Sequence, residues 1–388
     1  MAENEYMREA IKLAKRGMGF VSPNPMVGAV IVRDGNIIGK GWHKKYGQLH
    51  AERDAFADCD ARGVDCKGAD MYVTLEPCCH YGKQPPCTEA IAERGIRRVF
   101  VGSADPNPLV AGKGIKYLRD HGIEVTEGVL KEECDSINEI FFHHITTGLP
   151  FVTMKYAMTI DGKIACYTGK AKWITGEESR LNAHRDRLKH SAIMAGIGTV
   201  LADDPLLTCR LENARNPIRI ICDSRLRTPL DSNIVKTANE VPTLIVTACT
   251  SDKTQEYEKF GCEVILCSDE SGKQVDLVKL MKILGERKID SILLEGGSTL
   301  NWSALNSGIV NKVQAYIAPK IFGGKSAPSP VGGIGTDIPD NAFMLEEPKI
   351  SRFGDDIMIE SRVKYVHGNN LRNWQSYKSS KNCRIIVY

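Results

Sequence analysis

The sequence predicts an α/β protein made of two consecutive domains. Its 388 residues exceed what a single hydrophobic core usually serves, and 42% hydrophobic residues are enough for two cores. Short apolar runs typical of buried strands alternate with helical patterns along the chain. Gly148 and Pro150 interrupt this alternation. We therefore expect one domain over residues 1–147, a second over 148–363, and a basic tail over 364–388 to which we assign no function.

Hydrophobic spacing predicts the elements of the first domain in order. A helix is expected over residues 4–16 and a strand over 27–32, and Asp34-Gly35 is a hairpin turn signal before a return strand over 36–42. The remaining expected elements are a helix over 50–61, a strand over 71–75, a helix from Thr88, a strand over 98–101, a helix and strand reaching Val125, and a helix ending near His144.

His50 and Glu52, followed downstream by Cys78-Cys79 and then by Cys87, supply both halves of the pattern of a zinc deaminase site. One imidazole and two thiolates leave the fourth tetrahedral position to a water, whose pKa zinc lowers toward about 7. Glu52 is then placed to carry a proton from this water to the leaving amine without binding the metal. Ligands at two successive helix starts suit a three-layer α/β/α fold of the cytidine-deaminase type.

The spacing of the cysteines leaves the ligand set open. Eight residues separate Cys78 from Cys87, where two are usual in such sites, so spacing alone leaves Cys79 as a possible ligand. A closed structural zinc site would need a fourth ligand such as Cys79 or His80, and it would give Glu52 no role.

The second domain is expected to begin with a strand that enters a turn by residue 163, followed by a helix over 177–189. Further strands are expected at 192–195, 218–222, 244–246, 264–266, 291–294, 313–317 and 357–360. Glu295-Gly296-Gly297 ends a buried strand and precedes a helix, a geometry that offers backbone N–H groups to a phosphate. It does not match the dinucleotide fingerprint, and a plain glycine turn explains it as well.

Two sets of motifs carry a family resemblance. Residues 74–88, which contain Cys78, Cys79 and Cys87, resemble the deaminase half of the bifunctional riboflavin-biosynthesis deaminase/reductase. Residues 157–163, 195–210 and 295–297 resemble its reductase half. The resemblance covers about residues 1–363 in the order deaminase then reductase. It implies a dihydrofolate-reductase-like α/β fold that uses NADPH for the second domain, and it implies zinc ligation by His50, Cys78 and Cys87 with Cys79 unligated.

The resemblance also implies site residues, position by position. In the deaminase half, the substrate would be contacted by Asn24, His43, His80 and Lys83, although Ser22-Pro23-Asn24-Pro25 is also an ordinary turn sequence. In the reductase half, the cofactor positions are Ala157, Trp173, Thr199, Asp203, Ser224 and Gly297, and the substrate positions are Ala171, Arg187, Leu207, Arg210 and Glu295. Ala171 is often a serine in relatives. Lys155 and Asp203 are the candidates for orienting the ribose, and Arg187 and Arg210 for binding the 5′-phosphate.

The implied reactions are deamination at C2 of 2,5-diamino-6-ribosylamino-4(3H)-pyrimidinone 5′-phosphate, followed by hydride transfer from NADPH to C1′ of its ribose. Two alternatives are a nucleic-acid-editing zinc deaminase with an accessory domain and a non-catalytic zinc-stabilised scaffold. An editing enzyme would need a basic or aromatic groove. The formal charge is only +3, and five basic residues lie in the tail, so we expect a small pyrimidine ribonucleotide-like substrate and no nucleic-acid partner.

Composition also bears on location and assembly. Thirteen cysteines, an odd number spread over a long chain, indicate reduced thiols and a metal site. The chain has no apolar run of membrane-spanning length and no apolar signal core after its acidic start. We therefore expect a cytoplasmic enzyme without a membrane partner, and we expect it to form a homo-oligomer.

Overall fold

The structure is a computed structural model that describes residues 2–82 and 84–365. The chain folds into two compact units, an N-terminal unit up to Gly148 and a C-terminal unit from Leu149. The tail predicted over residues 364–388 lies almost wholly outside the described residues, as does Lys83.

The N-terminal unit has a five-stranded sheet in the order β2-β1-β3-β4-β5. Its strands are β1 (Gly28–Arg33), β2 (Asn36–Trp42), β3 (Asp70–Leu75), β4 (Arg98–Ser103) and β5 (Glu124–Glu127). Its helices are α1 (Ala2–Ala14), α2 (Ala51–Ala61), α3 (Cys87–Glu93), α4 (Lys113–Asp120), α5 (Lys131–Ile137) and α6 (Glu139–Thr147). Strand β1 is antiparallel to β2 and β3, whereas β3, β4 and β5 are parallel.

Side chains of β1 point alternately to the two faces of the sheet, and helices cover both faces, which gives three layers. Val30 and Val32 pack with α1 and α5 on one face of the sheet. Ala29 and Ile31 pack with α2, α3 and α4 on the other. The turn between β1 and β2 places Asp34 at φ 50° and Gly35 at φ 76°, the left-handed pair that a tight hairpin requires. The predicted three-layer α/β/α fold is therefore confirmed.

The C-terminal unit has a nine-stranded sheet in the order β10-β9-β8-β7-β11-β6-β12-β14-β13. Its strands are β6 (Phe151–Thr159), β7 (Ala192–Gly196), β8 (Ile218–Cys222), β9 (Thr243–Thr247), β10 (Cys262–Leu266), β11 (Ser291–Leu294), β12 (Lys312–Ala318), β13 (Met344–Phe353) and β14 (Asp356–Lys364). Its helices are α7 (Glu177–Lys189), α8 (Ile197–Asp203), α9 (Asn233–Lys236), α10 (Lys253–Lys259), α11 (Leu277–Glu286) and α12 (Ser298–Asn306).

Seven of these strands, β10 to β12 along the sheet, run parallel, and β14 and β13 continue it as an antiparallel pair. Helices α11 and α12 cover one face of the sheet. Helix α8, Leu207 and Ile234 of α9 pack on the other face. Parallel strands with helices on both faces place their carboxyl ends along one edge, where α/β enzymes bind ligands.

The structure departs from the sequence-based elements in three places. Helix α1 ends at Ala14 and continues as a 3-10 turn, and α6 extends to Thr147, where Gly148 in the left-handed region ends it. Strand β13 was not predicted. The first seven residues of β13 are exposed, and the strand contains Pro348. Its sequence therefore lacks the alternation of apolar and polar residues that marks a half-buried strand.

Candidate active sites in the two units

Local structure brings three zinc-type ligands together in the N-terminal unit. His50 is the N-cap of α2, Cys87 is the first residue of α3, and Cys78 follows β3. His50 Nδ1 lies 3.5 Å from Cys78 Sγ and 3.4 Å from Cys87 Sγ, and the three ligand atoms all lie within 4.8 Å of one another. A tetrahedral zinc with ordinary bond lengths separates N and S ligands by about 3.5 Å, so these residues fit zinc.

One of the two thiols, that of Cys78, is already polarised toward metal binding, whereas the hydrogen bond with Cys78 raises the pKa of Cys87. A hydrogen bond from Cys87, supported by His50, lowers the pKa of Cys78 to about 4. The backbone N–H of Cys87 also donates to Cys78 Sγ at 3.4 Å. Cys78 is thus held as a thiolate, the form in which cysteine binds metals.

Glu52 lies beside this cluster but is not one of its three candidate ligands, His50, Cys78 and Cys87. Its side chain is buried, with 3% of the residue exposed. Burial raises the pKa of Glu52, and the negative charge of Cys78 adds to the effect. A carboxyl group with a raised pKa both accepts and returns a proton near neutral pH, as the predicted role requires.

The zinc cluster opens into a pocket that also contains Asn24, His43 and His80. His43 Nδ1 donates to the Leu49 carbonyl at 2.9 Å, so its Nε2 accepts from Asn24 Nδ2 at 3.2 Å. Burial lowers the pKa of His43 and keeps it neutral. His80 Nδ1 is buried without a hydrogen-bond partner among the described residues. Lys83 falls outside the described residues, although Gly82 and Gln84 line the same pocket.

The pocket contains residues that sequence reasoning missed. Asp105 and Asn107 follow β4, and Phe141 and His144 come from α6. Asp105 accepts from the Asn107 backbone N–H at 2.8 Å, and burial raises the pKa of Asp105 to about 6. The available signal was a polar Asp-Pro-Asn-Pro turn at the carboxyl end of a buried parallel strand.

In the C-terminal unit, Glu295 and Arg187 form a nearly buried ion pair. Arg187 Nε and Nη2 donate to the two Glu295 oxygens at 2.8 and 2.9 Å, and Nη1 donates to the Thr208 carbonyl at 2.8 Å. Burial opposes ionisation of Glu295, but the charges of Arg187 and Lys155 outweigh it and hold the pKa of Glu295 at about 2. Much of the Arg187 guanidinium is therefore engaged by protein. Its predicted contact with a phosphate stays a prediction.

Four of the six predicted cofactor positions lie along the carboxyl edge of four adjacent strands. Ala157 lies near the end of β6, Thr199 on α8 after β7, Ser224 after β8, and Gly297 after β11. Strands β8, β7, β11 and β6 are consecutive in the sheet, so these positions span about 14 Å. Helices α8 and α12 both begin at this edge, and a Cβ at Gly297 would lie 3.8 Å from Thr199 Oγ1. An elongated ligand with central phosphates fits this row.

The remaining predicted reductase residues differ in their surroundings. Asp203 ends α8 with an exposed side chain, Ala171 is half-buried in the loop after β6, and Arg210 is exposed. Trp173 is 60% exposed, with Arg180 Cζ 4.8 Å from its ring centroid. Leu207 is buried in the core beside α8, so only its backbone is left to contact a substrate. The charges of Arg187 and Lys155 both act on Glu295, so the structure brings these three residues together.

Two family models match the two units separately. The cytidine and deoxycytidylate deaminase zinc-binding region matches residues 1–103, and the RibD C-terminal domain matches residues 150–359. A riboflavin biosynthesis protein RibD of Actinobacillus pleuropneumoniae is 54% identical over 363 residues, covering 93% of this chain and 95% of that one. The chain belongs to the RibD family. RibD of Bacillus amyloliquefaciens is 43% identical, covering 93% and 96% of the two chains.

Solved structures agree with this membership. A structure from Thermotoga maritima, described as a diaminohydroxyphosphoribosylaminopyrimidine deaminase/5-amino-6-(5-phosphoribosylamino)uracil reductase, matches with a TM-score of 0.83 at 40% identity. It covers 94% of this chain and 99% of its own. RibD of Acinetobacter baumannii matches with a TM-score of 0.82 at 34% identity and the same coverage.

Membership of the RibD family makes this chain a bifunctional enzyme of riboflavin biosynthesis, with a deaminase and a reductase activity on a small-molecule substrate. Its cofactors are zinc and NADPH. The predicted family, fold class, activities and cofactors are therefore confirmed. Among the described residues, no helix is long and apolar enough to cross a membrane.

Proposed function

We propose that the N-terminal unit hydrolyses the exocyclic amine of the diaminohydroxyphosphoribosylaminopyrimidine on which the Thermotoga maritima relative is described as acting. The observation that carries this proposal is a buried Glu52 with a raised pKa beside the three-ligand cluster. His50, Cys78 and Cys87 would hold a zinc ion, which would lower the pKa of a water toward about 7 and so provide the nucleophile. Glu52 accepts the proton of that water and passes it to the departing amine, which leaves as ammonia.

The other polar groups of the pocket orient the pyrimidine in this proposal. His43 is neutral and already bonded to Asn24 through Nε2, so Asn24 retains its carbonyl oxygen and a second N–H for the ring. His80 also lines the pocket, and its buried Nδ1 has no hydrogen-bond partner among the described residues. Lys83 stays a predicted phosphate ligand.

We also propose that the C-terminal unit reduces the ribosyl group of the deaminated product. NADPH would lie along the row of Ala157, Thr199, Ser224 and Gly297, and it supplies the hydride when bound. Lys155 would orient the ribose. Its charge acts on Glu295, which is itself a predicted substrate-binding residue, so Lys155 lies close to the substrate site. Asp203, at the end of α8, is the second proposed orienting group. Residues 1–147 and 148–363 are accordingly the proposed deaminase and reductase domains.

The proposed function is tested by product analysis. Purified zinc-loaded protein is mixed with the diaminopyrimidine phosphate, with and without NADPH, and the products are identified by mass. We expect a deaminated product without NADPH and a deaminated product two hydrogens heavier with it. Release of ammonia from an oligonucleotide but not from the free nucleotide would instead support an editing deaminase, and release of neither would support a scaffold.

We infer in addition that the chain forms a homo-oligomer in solution. Apolar side chains lie exposed on the edge strand β13, with Met344 at 52%, Leu345 at 45% and Ile350 at 71%. Exposed edge strands carrying apolar side chains are prone to association. Light scattering should give a mass above that of one 42.8 kDa chain, and Ile350→Lys should lower it. A single-chain mass at micromolar concentration would contradict this inference.

A further inference from the structure

The charged cluster of the C-terminal unit contains an imidazole that the sequence did not single out. His184 lies on α7 three residues before Arg187, so the two side chains lie on one side of the helix. Its side chain is half-buried. The groups whose charges act on its ring are Arg187, Arg210, Glu295 and Lys155. His184 therefore lies among the residues proposed to hold the reductase substrate.

The segment 208–210 contacts both the ring and the backbone of His184. The backbone N–H of Arg210 donates to His184 Nδ1 at 3.3 Å, and Cys209 Sγ donates to the His184 carbonyl at 3.2 Å. Burial, and then the positive charges of Arg187 and Arg210, lower the pKa of His184. The ring is consequently neutral at pH 7. Because Nδ1 accepts a hydrogen bond, the single ring proton lies on Nε2.

The Nε2–H group is available to a ligand. Within residues 2–82 and 84–365, no protein atom accepts a hydrogen bond from it. The neighbouring cations differ in their availability. Arg187 is occupied by Glu295 and the Thr208 carbonyl, whereas the side chain of Arg210 is exposed. An anionic group entering the cluster would therefore meet the Arg210 guanidinium and the His184 N–H.

We propose that His184 is a substrate-binding residue of the reductase, whose Nε2–H donates a hydrogen bond to the phosphate of the phosphoribosyl substrate beside the guanidinium of Arg210. This inference rests on the proposed reductase function. The ion pair with Arg187 neutralises Glu295, so the buried carboxylate does not repel the phosphate. The guanidinium of Arg210 supplies positive charge, and the Nε2–H of His184 supplies a directional hydrogen bond to a phosphate oxygen.

Two amide substitutions separate this role from a structural one. In His184→Gln, the side-chain nitrogen reaches the position of Nε2 and can still donate. In His184→Asn, the amide oxygen reaches only the position of Nδ1, so it keeps the bond from the Arg210 N–H but loses the donor. Deamination by the N-terminal unit and the melting temperature serve as controls for folding in both variants.

The first measurement is steady-state reduction of 5-amino-6-(5-phosphoribosylamino)uracil by the full-length, zinc-loaded enzyme. We expect His184→Asn to raise KM for this substrate roughly ten- to hundredfold, the loss typical of a hydrogen bond to a charged group, with kcat and the KM for NADPH little changed. His184→Gln should stay within about threefold of wild type. On the dephosphorylated substrate, wild type and His184→Asn should be equal.

Several outcomes would overturn the proposal. If Asn preserved KM and Gln raised it, His184 would only anchor the segment 208–210. Equal losses in both variants, or the same loss on the dephosphorylated substrate, would show that the phosphate does not meet Nε2. A second measurement needs no turnover: calorimetric titration with ribose 5-phosphate should show the same ranking of wild type, Gln and Asn. Binding in that order without any reduction by wild type would refute the proposed reductase function and leave the phosphate site standing.

Discussion

At the scale of single residues, Cys79 distinguishes an open zinc site from a closed one. Burial, and then the negative charge of Cys78, raise the pKa of Cys79, so its thiol stays protonated. It is also not part of the cluster that His50, Cys78 and Cys87 form. We expect Cys79→Ser to retain about one zinc per chain and Cys78→Ser to lose it, as measured by elemental analysis. Equal loss of zinc in both variants would mean that Cys79 is a ligand.

Asp186 on α7 gives a pH-dependent prediction. It is buried, and this burial raises the pKa of its carboxyl to about 6 from an ordinary value of 3.8. Because the folded state binds the proton more tightly than the unfolded state, Asp186 leaves stability unaffected below about pH 4 and lowers it as pH rises through 6. We expect Asp186→Asn to stabilise the C-terminal unit at pH 8 by at most about 3 kcal/mol.

The measurement is the melting temperature of wild type and Asp186→Asn at pH 4 and pH 8. The gain should be present at pH 8 and vanish near pH 4. Asp340→Asn is the matched control, since Asp340 is exposed and the same chemical change there should leave the melting temperature unchanged at both values. A gain that is equal at pH 4 and pH 8 would show that loss of charge at Asp186 is not its cause.

At the scale of elements, the position of α2 sets the zinc site. A Cβ at Gly41 of β2 would lie 2.2 Å from the Ala55 nitrogen and 2.3 Å from the Ala51 oxygen, both backbone atoms of α2. The helix therefore packs directly on the strand, and its first turn carries Glu52 and follows His50. We expect Gly41→Ala to push α2 outward, lower stability by about 1–3 kcal/mol, and weaken zinc binding.

Zinc content and thermal unfolding of Gly41→Ala check this prediction. Gly198→Ala is the control, because a Cβ at Gly198 meets nothing within 4 Å and its backbone lies in helix α8. That variant should keep both zinc and stability. Unchanged zinc affinity in Gly41→Ala would show that α2 can shift without moving His50.

Elements with strong local signals could be predicted from the sequence, and elements without them could not. The hairpin at Asp34-Gly35 carries its turn residues in two adjacent positions, and helix α7 carries acidic residues in its first turn and basic residues in its last. Strand β13 was missed because backbone pairing with β14 forms it, and it has no buried face that would leave a pattern in the sequence. The proposed zinc ligands form a motif that the sequence shows directly, whereas the Arg187–Glu295 pair joins residues 108 positions apart that no local pattern relates.

At the scale of the whole molecule, the two chemistries are built on separate sheets. The proposed zinc ligands and Glu52 lie in the N-terminal unit, which is built on the five-stranded sheet, and Lys155, Asp203 and Glu295 lie in the C-terminal unit, which is built on the nine-stranded sheet. Each unit has its own hydrophobic core. Because neither site shares a residue with the other, a substitution that preserves shape in one unit should leave the other reaction intact.

Glu52→Gln and Asp203→Ala test this separation with each half-reaction assayed alone. Glu52→Gln preserves shape but removes the proton carrier, so it should retain zinc and lower deamination by about 10²–10⁴-fold while supplied deaminated intermediate is reduced at nearly the wild-type rate. Asp203→Ala should impair reduction while ammonia release continues. Asp203 is exposed at the end of α8, so its loss should remove a ligand contact without disturbing the hydrophobic core. Loss of both activities in a folded, zinc-loaded Glu52→Gln protein would contradict the proposal of two independent sites. The reductase would then depend on a working deaminase centre.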